Sequence, residues 1–143
     1  MKMIWVRFWK PEDEQKLIEW MENGDNNYFD PECLAYPATA RLMAHNDKAL
    51  VAMPVQSVLL LESLGVNPEA TKHEVAVGLN MMVQSLVTIA QTKGIGEIYF
   101  LATNEKTNEF AKKHGFESLP WPIYRLKIPH LGEQNESIQE GSN

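Results

Sequence analysis

Hydrophobic positions along this chain follow two periods, one typical of strands and the other typical of helices. Alternating or continuous apolar runs predict strands at 4–8, 40–45, 49–53, 58–66, 98–101 and 124–128. The dipeptide Asn46-Asp47 separates the second and third of these runs, as a hairpin turn would.

Three segments show the helical period. One opens at Pro11 and ends at Gly24, one covers 75–93, and one follows Asn104 and ends at Gly115. The predicted buried stripes of the first two consist of Leu17, Ile18, Met21, Leu79, Met82, Val83, Leu86 and Ala90. The order β-α-β-β-β-α-β-α-β predicts a mixed α/β fold, with helices on a central mixed sheet.

Length and charge narrow the class of protein. A chain of 143 residues favours one domain, predicted over 1–130, followed by a polar tail at 131–143 that orders only against something else. Its 19 acidic and 13 basic residues give a net charge of −6, which argues against nucleic acid or an anionic membrane as the main partner. The single cysteine, Cys33, excludes an internal disulfide, and the histidine spacing predicts no metal site.

The segment 75–92 contains no charged residue and raises the question of a membrane span. Its amide and hydroxyl side chains make it too polar for hydrocarbon, so we interpret it as the core helix of a soluble protein. The first eight residues are too short and too polar for a secretory signal. We therefore expect a cytoplasmic protein that is not secreted and has no membrane partner.

The segment 94–116 reads as strand, turn, helix and glycine stop. Asn104 is a suitable N-cap, and Gly115 followed by Phe116 fits a left-handed C-terminal cap. This pattern resembles the last helical unit of the GNAT superfamily of acyl-CoA-dependent N-acetyltransferases. The element order is similar to the GNAT fold over 1–128, except that one short early helix of that fold has no evident counterpart.

The resemblance implies that the loop after the fourth strand cradles the pyrophosphate of acetyl-CoA through backbone N–H groups. The coenzyme-binding residues it implies are Val66, Thr71, Lys72, His73, Glu74, Val75, Ala76 and Asn104. Two of them depart from the family's pattern: Thr71 replaces a Gln or Arg, and Glu74 replaces a Gly. Glu74 would repel the pyrophosphate, unless its carboxylate serves only to stabilise the start of the helix.

The residue expected to serve as the acid in acetyl transfer also departs from the family's pattern. The family usually carries a Tyr, the acid that protonates the leaving thiolate, at the position of Ala111, which has no proton to give. Glu62 is the candidate catalytic base, because it lies on the predicted fourth strand and a carboxylate there can take a proton from an amine. The alternative is a strand-end carboxylate that reaches solvent or a neighbouring Lys.

These residues support two hypotheses. The first is a non-catalytic interaction or structural component of a protein assembly without a cofactor, which contacts other protein chains through helix 75–92 and tail 131–143. Since some GNAT-like proteins are components of tailed-phage particles, a virion is one setting that this hypothesis suggests. The second is an acetyl-CoA-dependent N-acetyltransferase that acts on an unknown amine.

Overall fold

The computed structural model describes residues 2–24 and 29–129. The strands are β1 Trp5–Phe8, β2 Ala40–His45, β3 Ala49–Val55, β4 Leu59–Leu61 and β5 Ile98–Phe100. The helices are α1 Glu14–Asn23, α2 Lys72–Thr92 and α3 Glu105–Lys113, with short 3-10 helices at Pro11–Asp13 and Pro31–Ala35. This order confirms the predicted mixed α/β class, and the predicted tail 131–143 lies outside the described residues.

The strands form two separate sheets. β1, β2 and β3 pair antiparallel in that order, and β4 pairs parallel with β5. The predicted hairpin is confirmed: β2 and β3 are joined by a turn in which the Lys48 N–H donates to the Asn46 side-chain oxygen at 3.1 Å.

The core lies between α1 and one face of the three-stranded sheet. Trp9, Leu17, Leu34 and Met43 are its buried members, and Ile18 and Met21 pack against them. The stripe predicted for the first helix is therefore confirmed. A charged hydrogen bond from Arg41 of β2 to Glu14 of α1, at 2.7 Å, joins the same two elements.

The other face of this sheet is apolar, and its side chains are half-buried or exposed in the described part of the chain. The register aligns Phe8 with Leu42 and Met53 across the three strands, and Val6 with Ala44 and Val51. We call these six residues the open sheet face. The side chains at its two edges are the most exposed, with Val6 at 70% and Met53 at 59%.

The longest helix, α2, begins earlier than predicted, at Lys72, because Thr71 caps it. Its predicted role as a core helix is wrong for most of its surface: of the predicted stripe, Ala90 is buried and Leu79, Val83 and Leu86 are half-buried, whereas Met82 is 56% exposed. The physical reason is the difference in length between the helix and the parallel sheet. The 21 residues of α2 span about 30 Å, whereas each strand of that sheet has only three residues and is too short to cover the helix.

By length and composition, α2 is apolar enough to cross a membrane, with a mean hydropathy of 1.3 over its best window. The hydroxyl groups of Ser85, Thr88 and Thr92 already have hydrogen-bond partners within the helix, because each donates to a carbonyl one turn back. The helix is therefore less polar than its sequence suggests. One such helix is weak evidence of a membrane, and the absence of a membrane partner stays a prediction.

Two predicted strands need correction. The fourth was expected over 58–66 but ends at Leu61, because its partner β5 is only three residues long. The sixth, 124–128, does not form in the described structure, where Tyr124 and Leu126 are 88% and 84% exposed. A strand requires a partner, and a wide cleft separates β5 from the segment that leads into 124–128.

The 3-10 helix Pro31–Ala35 is an element that the sequence did not reveal. Asp30 caps it by accepting from the Glu32 N–H at 2.9 Å. The Asp-Pro start is a local signal for this element, but five residues are too few to show a helical period.

Candidate functional site

The residues of the predicted phosphate loop form the N-cap and first turn of α2. The Thr71 hydroxyl accepts from the Glu74 N–H at 3.2 Å, and the Glu74 carboxylate accepts from the Thr71 N–H at 2.8 Å. This reciprocal pair is a capping box, in which the N-cap and the third helical residue satisfy each other's backbone donors. Two N–H groups that the resemblance would assign to a pyrophosphate are thereby occupied.

The protonation of Glu74 reflects this geometry. The hydrogen bond from the Thr71 backbone N–H, followed by a contribution from the Thr71 side chain, lowers the pKa of Glu74 below its ordinary value. The carboxylate is therefore ionised at neutral pH and lies at the positive end of the helix dipole. These contacts favour the capping role among the two roles that the sequence left open.

Next to this turn lies a cleft of about 500 Å³. Its walls come from the segment 66–70 after β4, the first two turns of α2, and one face of α3. Four of the predicted coenzyme-binding residues line it: Val66, Lys72, Val75 and Ala76. We call it the α2–α3 cleft.

The other predicted site residues lie outside the set that lines this cleft. Thr71 and Glu74 are engaged in the cap, and His73 is exposed in the same turn. Asn104 is the N-cap of α3, where its side chain accepts from the Thr107 N–H at 3.0 Å. Glu62, the candidate base, is exposed one residue beyond β4.

The sequence interpretation missed the contribution of α3 to the cleft. The residues of α3 and its C-cap that line it are Lys106, Glu109, Phe110, Lys113 and His114. Their spacing of three, four and seven residues places them on one side of the helix, and this periodicity was the available signal. That side is mainly polar, so a search for apolar stripes does not detect it.

Aromatic contacts and a glycine hold α3 in place. The ring of Phe110 packs edge-on against Phe100 of β5, with centroids 5.3 Å apart. At the C-terminus, Gly115 adopts a φ of 83°, and the Phe116 N–H donates to the Ala111 carbonyl at 2.9 Å. This is the Schellman arrangement, and it confirms the predicted Gly-Phe stop.

A second cleft of about 830 Å³ lies between β5 and the segment that follows α3. Ala111, the position where the resemblance expects an acid, lines this second cleft rather than the α2–α3 cleft. Tyr99 of β5 also lines it, and burial, followed by the charge of Glu97, raises the pKa of that phenol.

No family model matches the chain, and no curated protein matches it either. Among solved structures, the chain is similar to a predicted acetyltransferase with acetyl-CoA from Clostridium acetobutylicum, at 17% identity and a TM-score of 0.38. That match covers 86% of this chain and 96% of the other. A second similar structure is AAC(6')-Iy in complex with the bisubstrate analog CoA-S-monomethyl-acetylneamine, at 21% identity and a TM-score of 0.36.

The second match covers 89% of this chain and 99% of that structure. By its name the first neighbour is a predicted acetyltransferase with acetyl-CoA, and the second is a complex with a bisubstrate analog of coenzyme A. Similarity of this degree assigns neither an activity nor a residue role to this chain.

Proposed function

We propose that this chain is an acetyltransferase-type domain that binds an acylated coenzyme A in the α2–α3 cleft. The observation that carries the proposal is the composition of the cleft walls. Val75, Ala76 and Phe110 supply apolar contact for the thioester arm of such a ligand, and Lys72, Lys106 and Lys113 supply positive charge for its phosphates. The residues present therefore fit this class of coenzyme.

The coenzyme supplies an activated acetyl group: an acceptor amine forms the C–N bond, the C–S bond breaks, and the amine proton ends on the sulfur. The chain provides few groups to move that proton. Ala111 has no proton to give, and Glu62 is exposed outside the α2–α3 cleft. The contribution of the chain is therefore binding and orientation, and we expect transfer to be slow.

The capping box argues for weak binding. The Glu74 carboxylate stays at the N-terminus of α2, where the resemblance expects a glycine, and Thr71 and Glu74 occupy each other's N–H groups. An anion at this end of the helix is therefore repelled by the Glu74 carboxylate and finds fewer free backbone N–H groups.

Calorimetric titration of the unaltered chain with acetyl-CoA tests the proposal. We expect weak but measurable heat, and tighter binding by Glu74→Gln, which removes the charge and keeps an acceptor for the Thr71 N–H. Glu22→Gln, an exposed carboxylate on α1, is the matched control. Absence of binding by parent and Glu74→Gln would refute the proposed function, and low-micromolar binding by the parent would refute the degenerate-site argument.

A second candidate function, association with another protein chain, rests on a different observation. The open sheet face and α2 are both apolar and both exposed, with Phe8 at 67% and Met81 at 64%. Contiguous exposed apolar surfaces of this kind mark interaction sites in soluble proteins. We propose that the partner is a second copy of this chain, whose α2 lies on the open sheet face, because a two-fold pairing covers both surfaces at once.

Light scattering on Met53→Lys tests this second candidate, because Met53 lies on the open sheet face. Met3→Lys is the matched control, since Met3 is exposed to a similar degree but precedes β1. We expect a dimer for the parent and the control and a monomer for Met53→Lys. A parent chain that stays monomeric at every concentration would exclude this role. A phage particle as the setting stays a prediction from the resemblance alone.

A further inference from the structure

One edge of the parallel sheet is unused. The Glu97 carbonyl and the Leu101 N–H of β5 bond to β4, at 3.4 and 3.5 Å. Because successive residues of a strand direct their backbone groups to opposite edges, Ile98 and Phe100 present theirs at the other edge. Within the described part of the chain, those backbone groups have no hydrogen-bond partner. An edge of this kind is a template for a further strand.

The second cleft runs along this free edge, since Ile98 and Phe100 both line it. Its other apolar lining includes Val83 and Val87 of α2, and Leu119 on the wall opposite β5. Helix α2 is also the surface proposed above for contact with a second copy of the chain. The cleft therefore adjoins that contact.

The segment 124–128 has the pattern of a strand without a partner. Tyr124, Leu126 and Ile128 alternate with two basic residues, so an extended backbone places the three apolar side chains on one face. These side chains are 88%, 84% and 72% exposed. Five extended residues span about 17 Å, which is longer than the three residues of β5.

The charges of this segment complement those of the second cleft. Arg125 and Lys127 are exposed, and within the described residues neither has a carboxylate within 4.0 Å. The cleft is lined by Glu97 and Glu117 against one lysine, Lys112. A strand that carries two cations and no anion is therefore attracted to it.

The chain cannot fill its own cleft in this geometry. Its residues 116–123 supply the wall opposite β5, and Ile123 is the last of them to line the cleft. From 122 to 129 the backbone makes no turn or bend that could carry it back toward β5. Pro129 also favours an extended conformation in the residue before it. The segment 124–128 therefore leaves the cleft that it fits.

We infer that residues 124–128 of one copy form the third strand of the β4–β5 sheet in a second copy, and that the exchange is reciprocal. The exchange satisfies the backbone groups of Ile98 and Phe100 and covers the apolar side chains of the segment. This inference rests on the association with a second copy proposed above. It goes beyond that association because it assigns the partner a strand in the second cleft.

Amide hydrogen exchange of the full chain, measured by NMR, tests the inference at single residues. In the dimer we expect exchange at Ile98 and Phe100 to be about tenfold slower than in the dilute monomer, as one added hydrogen bond at each predicts. Arg125→Pro with Leu126→Pro should abolish this difference, because one of the two neighbouring N–H groups faces β5 in either alternation.

Arg125→Thr with Leu126→Val is the matched control, since it loses the same charge but keeps strand-forming residues and should retain the slow exchange. Both positions are exposed, so each double variant should keep the fold of the parent. The amide of Leu101, which is bonded to β4, is the internal reference and should be the same in all three chains.

The concentration dependence of exchange identifies the source of the strand. Slow exchange at every concentration would mean that the strand comes from the same chain, and equal exchange in the proline variant and its control would mean that 124–128 is not the strand; either result overturns the inference. Fast exchange at Ile98 and Phe100 in a chain that light scattering shows to be a dimer overturns the inference and leaves the association standing. If exchange is slow as expected but Met53→Lys is also a dimer, the association through the open sheet face is wrong and the inference stands. A parent that is monomeric at every concentration refutes both.

Discussion

Thr71 and Glu74 are joined by two hydrogen bonds. The Thr71 N–H donates to the Glu74 carboxylate at 2.8 Å, and the Glu74 N–H donates to the Thr71 hydroxyl at 3.2 Å. This pair fixes the start of α2 next to the α2–α3 cleft. The same two residues are the ones that depart from the phosphate-loop pattern. Their local structural role explains why both residue types stand there.

The hydroxyl of Thr71 should contribute measurably to stability. We expect Thr71→Ala to lower the free energy of unfolding by about 1 kcal/mol, because the Glu74 N–H loses its acceptor. Thr92→Ala is the control, since that hydroxyl donates only to a carbonyl within the same helix. Denaturant unfolding followed by circular dichroism measures both. An equal loss in the two variants would contradict the capping role.

Stability should depend on pH through Glu74. Its pKa in the folded chain is lower than the ordinary 4.5, so its contribution is present above 4.5 and is lost as the pH falls through the folded value. We expect the parent to be more stable than Glu74→Gln at neutral pH. The difference should disappear in strongly acidic solution, and a difference that does not change with pH would contradict this assignment. Denaturant unfolding at a series of pH values measures it.

Two glycines should respond in opposite ways to the same substitution. A Cβ at Gly96 would lie 2.4 Å from atoms of the Tyr36 ring, so Gly96→Ala should destabilise the fold by about 1–3 kcal/mol. A Cβ at Gly78, inside α2, would meet nothing within 4 Å, so Gly78→Ala should stabilise by up to about 1 kcal/mol. Thermal and denaturant unfolding measure both.

The double variant Gly96→Ala with Tyr36→Ala provides the control for this contact. If the ring causes the cost, the effect of Gly96→Ala should shrink when Tyr36 is already truncated. An unchanged cost would show that the backbone at Gly96, rather than the ring, is responsible.

Substitutions on the exposed side of α2 can test whether this helix contacts a second copy of the chain, because they leave its less exposed side unchanged. Gln84 and Thr88 share a stripe with Val77 and Met81, and all four are exposed. If a second copy covers this stripe, Gln84→Lys with Thr88→Lys should abolish the dimer in light scattering, because uncompensated charges in a contact are costly. Gln15→Lys, on α1, is the control. A double variant that behaves like the parent would exclude this stripe as an interface.

The sequence alone determined the features that depend on residues close together in the chain. The helix ends at Asn104 and Gly115, the Asn46 turn and the stripe of α1 were all predicted and found. Caps and turns are made by hydrogen bonds over three to five residues, so residue type and spacing are enough to identify them.

Only the tertiary structure decided which surfaces meet. The length of β4, the exposure of α2 and the absence of a strand at 124–128 depend on pairing between distant segments, which no local pattern encodes. The same holds for the α2–α3 cleft, where Lys72 faces Lys106 and Lys113 from another helix. A helical period places side chains on one side of a helix, but only packing brings two such sides together around one site.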